Sequence, residues 1–118
     1  MSYVLLIHEP NGQRAERGEQ QGRVVYDRML QWGESLRQRG VLRAAESLKT
    51  PDAESARVQV RGGKTSVLDG PFAEAKEMIG GFFLLDCKTR DEALAIAATC
   101  PAAEWATVEV RPLAPCYD

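Results

Sequence analysis

The residues best suited to chemistry are a sharp turn, Asp69-Gly70-Pro71-Phe72, and the single histidine, His8. A carboxylate that ends a strand, held by a rigid turn beside an aromatic ring, is preorganised to accept a proton or bind a polar ligand. Histidine is the residue type whose ordinary pKa suits proton transfer near neutrality. With Asp69 as general base and His8 as its proton partner, the pair would suit proton abstraction next to a carbonyl, as in isomerisation or elimination.

Both residues also have a purely structural interpretation. Asp, Gly and Pro in succession are typical of a turn in which the carboxylate accepts hydrogen bonds from its own backbone. A lone histidine is commonly a surface or edge residue. The distance along the sequence leaves open whether His8 and Asp69 face one cavity.

Aromatic side chains offer walls for a pocket beside this motif. Tyr26 and Trp32 fall on a segment with helical periodicity, where they are either core residues or an aromatic wall. We expect Phe72 and Trp32 to line a small-molecule pocket between that helix and the sheet, in each subunit of a dimer.

Composition narrows the class of protein. The 118 residues predict one domain, 1–118, and the formal charge of −2 leaves no basic field for a nucleic-acid backbone. One histidine and three widely spaced cysteines favour reduced thiols over a metal site or a disulfide framework. We therefore expect no metal and no cofactor. Short apolar runs and an N-terminus without signal-peptide character predict a cytoplasmic protein that does not bind membranes.

Elements that could position the motif follow from periodicity. A strand is predicted over 3–8, a loop or helix lead-in over 11–22, and an amphipathic helix from about residue 24 to a stop at Gly40. Residues 41–48 are ambiguous.

The second half of the chain is predicted from turn and cap signals. Gly62-Gly63 between alternating runs predicts a hairpin, and one or two helical turns are expected over 73–78. The pattern then predicts a strand over 82–86, a helix capped by Thr89 and Glu92, and a final strand over 106–110.

This order predicts an α+β domain with a ferredoxin-like βαββαβ subunit, an antiparallel sheet and both helices on one face. Phe82-Phe83-Leu84-Leu85 places large apolar side chains on both sides of its strand. Since the helices cover one face, we expect a homodimer that packs sheet against sheet as a dimeric α+β barrel.

The sequence resembles the DGPF-domain branch of the YCII-related family. The resemblance rests on the segment from Asp69 to Glu77, on Gly80-Gly81-Phe82, and on weaker similarities along the rest of the chain. It implies a dimeric α+β barrel without a cofactor, related to small isomerases and dehydrochlorinases.

The resemblance also implies a His-Asp acid/base pair, seen in some members. The first helix here contains no histidine, which leaves His8 and Asp69 as the possible partners. Proteins of this branch are often encoded beside alternative sigma factors. The resemblance therefore also implies an alternative to an enzyme, namely a non-catalytic dimeric binding or regulatory module linked to stress responses.

Overall fold

The structure, a computed structural model, describes residues 2–117. It contains six strands and two α-helices, with a short 3₁₀ helix before the last strand. The elements are β1 Ser2–Pro10, α1 Gln13–Gln38, β2 Leu42–Ser47, β3 Ala56–Arg61, β4 Lys64–Asp69, β5 Glu77–Asp86, α2 Arg90–Ala98, the 3₁₀ helix Pro101–Glu104 and β6 Thr107–Pro112.

Four strands form the main sheet in the order β2-β5-β1-β6, with all neighbours antiparallel. Together with α1 and α2 this is the ferredoxin-like βαββαβ arrangement, so the predicted fold class is confirmed. The hairpin of β3 and β4 was predicted within this order, but it forms a separate two-stranded sheet inserted between β2 and β5.

The core lies between the sheet and the two helices. Tyr3, Leu5 and Ile7 alternate along β1 as buried residues, because successive strand side chains point to opposite faces. They pack in one cluster with Leu36 of α1 and Ile96 of α2, so both helices cover this side of the sheet.

The opposite side of the sheet has no covering layer among residues 2–117. Val4 and Leu6 of β1 pair with Leu84 and Phe82 of β5, and all four side chains are half-buried. We call this surface the open face.

Residues 41–48, ambiguous in the sequence, contain the edge strand β2. Its side chains are mostly exposed, and the register with β5 shifts between Leu42 and Ala44. A strand with one neighbour and an interrupted register has no clear alternation, which explains the ambiguity.

Of the two alternatives for residues 11–22, a loop or a helix lead-in, the structure shows the helix: residues 13–22 belong to α1, although they lack an apolar stripe. One segment differs from prediction. The helical turns expected over 73–78 are wrong: Ala73 and Ala75 donate to Pro71 and Phe72 carbonyls in tight turns, and the strand begins at Glu77. Burial of Met78 on that strand outweighs the local helical preference.

The predicted turn and cap residues are confirmed. Gly40, Gly62 and Gly63 all have positive φ, at 75°, 58° and 78°. Thr89 caps α2 by accepting a hydrogen bond from the Glu92 amide at 3.1 Å. Within residues 2–117 no helix is long and apolar enough to cross a membrane.

Candidate functional site

A cavity of about 880 Å³ lies between α1 and the covered side of the sheet. The helix contributes the small residues Ala15, Gly18 and Gly22 to its wall. A helix packed directly on a sheet turns large apolar side chains towards it. The small size of these three residues leaves open space between this part of α1 and the sheet.

Gly18 also bends the helix. Its backbone is non-helical, with φ 82° and ψ 168°, which divides α1 into a first turn and a longer second part. A residue with a side chain is strained at this φ, so the bend depends on glycine. The bend separates Arg14 from the rest of α1.

Glu9 is the buried charged residue of the domain core, 6% exposed, and it lines the cavity. Arg14 holds its carboxylate with two hydrogen bonds, Nε to Oε1 at 2.9 Å and Nη2 to Oε2 at 2.7 Å. The same guanidinium donates to the Leu48 carbonyl at 2.8 Å and to the Gly80 carbonyl at 3.2 Å. One bidentate ion pair therefore joins β1, α1, β5 and the end of β2.

Gly80 makes room for this ion pair. A Cβ atom at residue 80 would overlap Glu9 Oε2 and lie 2.8 Å from Arg14 Nη2. The register between β1 and β5 shifts here, from Ile7 opposite Gly81 to His8 opposite Ile79, so Gly80 forms a bulge. The glycine and the bulge together admit a carboxylate into the covered side of the sheet.

The walls above the ion pair combine apolar side chains with charged residues, namely Glu19, Glu34, Arg37 and Glu46. Ile7, Met29 and Phe83 line the cavity, and Trp105 closes one side. The guanidinium of Arg17 lies over the Trp105 ring at 5.5 Å. The cavity thus combines apolar and aromatic surface with several charged groups, and such a combination can hold and orient a small polar molecule.

The chemistry available at the ion pair follows from the bonds already made. Each carboxylate oxygen of Glu9 accepts one hydrogen bond from Arg14 and retains a lone pair, because a carboxylate oxygen can accept two. Glu9 can therefore accept a hydrogen bond, or a proton, from a hydroxyl or an acidic C–H group of a ligand.

The structure places His8 on the open face, opposite to the cavity. Its Nε2 lies 2.7 Å from Glu109 Oε1 on β6. His8 and Glu9 are adjacent in sequence, so the strand pleat sends their side chains to opposite sides.

Asp69 lies at the end of β4, opposite Ala56 in the hairpin. β1 has β5 and β6 as its neighbours, so the strands that carry His8 and Asp69 are not adjacent within one chain. The acid/base pair therefore remains a prediction that the intrachain geometry does not assemble.

The rest of the turn contacts the residues that flank the hairpin. The Gly70 amide donates to the Ser55 carbonyl at 2.7 Å, and the Gly70-Pro71 peptide is cis. Phe72 stacks under the Arg57 guanidinium at 3.8 Å and lines a second cavity, beneath the turn.

The two predicted aromatic residues of α1 have different positions. Tyr26 is half-exposed and lines the main cavity. Trp32 is buried behind it, in an edge-to-face contact with Phe83 at 4.8 Å between ring centroids, and its Nε1 donates to Thr99 Oγ1 at 2.9 Å.

The two buried cysteines do not offer an activated nucleophile. Burial raises the pKa of both the Cys87 and Cys100 thiols, which keeps them protonated at neutral pH. Both pack in the core cluster.

Sequence reasoning missed Glu9, Arg14 and Gly80. One signal for Glu9 was present: it continues the alternation of the buried residues Tyr3, Leu5 and Ile7, so the pleat predicts a buried carboxylate. Glycine at residue 80 of a strand was a second signal, since glycine there marks a bulge or a close approach.

Comparisons with known proteins agree with this fold. Over 66 residues the chain is 47% identical to the uncharacterized protein R00369 of Rhizobium meliloti (strain 1021), a match that covers 54% of this chain and 53% of that protein. The chain thus spans about half the length of that curated relative.

A solved structure is similar over almost the whole chain. It is the 5-chloro-2-hydroxyhydroquinone dehydrochlorinase TftG of Burkholderia phenoliruptrix AC1100, in complex with 2,5-dihydroxybenzoquinone. The TM-score is 0.56 and the identity 14%, with 97% of this chain and 94% of that chain covered. The YCII-related domain family matches residues 1–116, and the chain belongs to that family.

Proposed function

We propose that this protein is a cofactor-free enzyme that binds a small hydroxylated or carbonyl compound in the cavity between α1 and the sheet. The observation that carries the proposal is the buried residue Glu9, 6% exposed, which lines a cavity of about 880 Å³ beside apolar and aromatic side chains. A buried charge is costly unless it is paired, and Arg14 pairs it without using all of its acceptor capacity.

In the proposed reaction Glu9 takes a proton from a carbon next to a carbonyl, and the electron pair of the broken C–H bond moves into an enolate. In an isomerisation Glu9 returns the proton to another carbon of the enolate. In an elimination the enolate electron pair forms a new C=C bond, the leaving group departs with the electrons of its own bond to carbon, and Glu9 releases the proton to the leaving group or to water. Arg14 would hold Glu9 in place, and Phe83 and Trp105 would pack against the apolar part of the substrate.

The similar fold of a dehydrochlorinase that holds a dihydroxybenzoquinone supports this class of substrate. We also propose that the chain belongs to the DGPF branch of the family, on the basis of the segment from Asp69 to Glu77. In this proposal the Asp69 turn supports the hairpin.

The test is binding of 2,5-dihydroxybenzoquinone, followed by quenching of tryptophan fluorescence, because Trp105 lines the cavity. We expect saturable quenching in the wild type and a dissociation constant about tenfold higher in Glu9→Gln, which loses a charge-assisted hydrogen bond. Gly22→Leu, which fills the cavity without touching the ion pair, should abolish the quenching.

His8→Asn and Asp69→Asn are the matched controls, since both positions lie outside the cavity. Unchanged binding in these two variants supports Glu9 as the ligand contact. If the Asn variants lose binding while Glu9→Gln keeps it, the acid/base pair predicted from the sequence is right and the cavity proposal is wrong.

We further propose that the protein resides in the cytosol. Cys87, Cys100 and Cys116 are free thiols in the described chain, which is usual for proteins of a reducing compartment. Fractionation of the producing cell followed by immunoblotting tests this, and recovery outside the cytosolic fraction would contradict it.

A further inference from the structure

The β3–β4 hairpin has no core of its own. All twelve of its strand residues are exposed, and it forms a sheet of two strands. An isolated two-stranded hairpin is marginally stable in water at best. A hairpin of this kind gains stability when one of its faces is covered.

The two faces of the hairpin differ in chemistry. Directly opposed residues share a face in an antiparallel pair, and the register places Val58 opposite Val67 and Val60 opposite Thr65. We call these four residues the valine face. The other face carries arginine, lysine and polar residues for most of its length, namely Arg57, Gln59, Arg61, Lys64, Ser66 and Leu68.

The valine face, like the open face, is an apolar surface that nothing within residues 2–117 covers. Val58 is 62% exposed and Val67 is 59% exposed, and both lie well outside the core cluster. Charged residues on the opposite face can stay in water while the valine face is buried. This asymmetry indicates one-sided docking against a partner.

The hairpin is fixed at its base. The Gly70 amide donates to the Ser55 carbonyl at 2.7 Å, which closes the two strands. Arg57 lies 3.8 Å over the Phe72 ring and 3.6 Å from the Glu74 carboxylate. The base of the hairpin is therefore tied to the segments that precede β3 and follow β4.

The size of the uncovered surface decides what kind of partner fits. The chain exposes 8145 Å², whereas a compact monomer of 13.0 kDa exposes about 6,300 Å². Its radius of gyration is 16.1 Å against about 13.5 Å for a compact domain of this length, and it is 19 Å thick along its shortest axis.

The excess of about 1,800 Å² per chain equals about 3,600 Å² for two chains, within the range of obligate homodimers and far above what a small ligand covers. A two-fold axis would cover the same surfaces on both copies at once, and the open face with Phe82 and Leu84 is a second uncovered surface available to such a partner.

We propose that the β3–β4 hairpin is an arm that packs its valine face on a second copy of this chain. Each copy packs its arm on the other copy. The partner stabilises the arm, and the arm removes apolar surface of the partner from water.

The test is sedimentation equilibrium of the full chain at micromolar concentration. We expect a dimer for the wild type. For Val58→Lys combined with Val67→Lys we expect a dimer dissociation constant at least about tenfold higher, because the interface would bury unpaired charges. The matched control is Gln59→Lys combined with Ser66→Lys, which adds the same charge to the same two strands on the opposite face. It should remain a dimer.

A milder variant shows whether a weaker dimer results from the altered face and not from misfolding. Val67→Thr keeps the shape and the strand propensity, and should weaken the dimer by a smaller factor with an unchanged circular dichroism spectrum. A monomeric wild type, or a valine-face variant that dimerises as tightly as its control, would overturn the proposal. Since no hairpin residue lines the cavity between α1 and the sheet, quinone binding by these variants reports on the proposed function separately.

Discussion

The two sides of β1 hold acidic side chains in opposite ways. On the covered side Glu9 is buried and clamped by Arg14 with two hydrogen bonds. On the open face the neighbouring residue His8 makes a single contact of 2.7 Å to Glu109. The side chains of the first pair are 8% and 31% exposed, and those of the second pair 42% and 26%.

The fold therefore depends on the Glu9–Arg14 pair, whereas the His8–Glu109 pair lies at the solvent-exposed surface. The Glu9 charge has lost its water, so its stability depends on Arg14 and on the space at Gly80. The His8 contact remains in partial contact with water, and such pairs contribute little to stability. The following changes test that contrast in order of their expected effect.

The largest effect is expected from Gly80→Ala. The added methyl group overlaps Glu9 Oε2, so the carboxylate must leave Arg14 or the bulge must shift, and we expect a loss of about 4 kcal/mol in the free energy of unfolding. Urea denaturation measures it. The control is Gly22→Ala, where nothing lies within 4 Å of the new atom and a helical alanine should stabilise by about 0.5–1 kcal/mol. Equal stability of the two variants would contradict the role of Gly80.

Arg14→Ala is expected to follow, with a loss of about 3 kcal/mol, because it leaves the Glu9 carboxylate buried without its partner. Arg14→Lys should recover only part of this, since an ammonium cannot reproduce the two parallel hydrogen bonds. The double variant Arg14→Met with Glu9→Met should be more stable than Arg14→Ala. If the double variant is the least stable of the three, burial of the lone charge is not the cause.

His8→Asn and Glu109→Gln should each cost under about 1 kcal/mol, since both partners are partly exposed. A double-mutant cycle by thermal denaturation gives the coupling. A coupling as large as that between Glu9 and Arg14 would remove the contrast between the two sides of β1.

The smallest effect is expected for the surface pair of Arg28 and Glu104. A hydrogen bond from Arg28, with its charge, lowers the pKa of the Glu104 carboxyl below its usual range. The pair therefore stabilises the fold above the unfolded-state pKa of Glu104, and this contribution is lost as the pH falls through the lower folded-state value. Glu104→Gln should lower the melting temperature slightly at neutral pH, and the difference should vanish in acid. A difference that grows in acid would contradict the direction of the shift.

The fold was largely predictable because its core elements carry strong local signals. The strand over 3–8, the stop at Gly40 and the capped helix after Thr89 all follow from periodicity and from cap residues. The edge strand β2 and the start of β5 at Glu77 depend on pairing with distant strands, which no local pattern encodes.

The site was less predictable than the fold. The sequence drew attention to His8 and Asp69 because of their residue types, whereas the buried pair forms between Glu9 and Arg14, across a turn and a helix start. What makes that pair a site is the space around it, and the cavity results from glycines and an alanine on α1, residues that carry no chemical signal.

The small residues on the inner side of α1 have a consequence for how this protein can diversify. At Gly22 a side chain can grow into empty space without strain or collision, while the sheet and the ion pair beneath stay as they are. Substitution at this single helix position can therefore change the size and shape of the space in the cavity at little cost to the stability of the fold. New binding preferences can thus arise here by one-step substitutions.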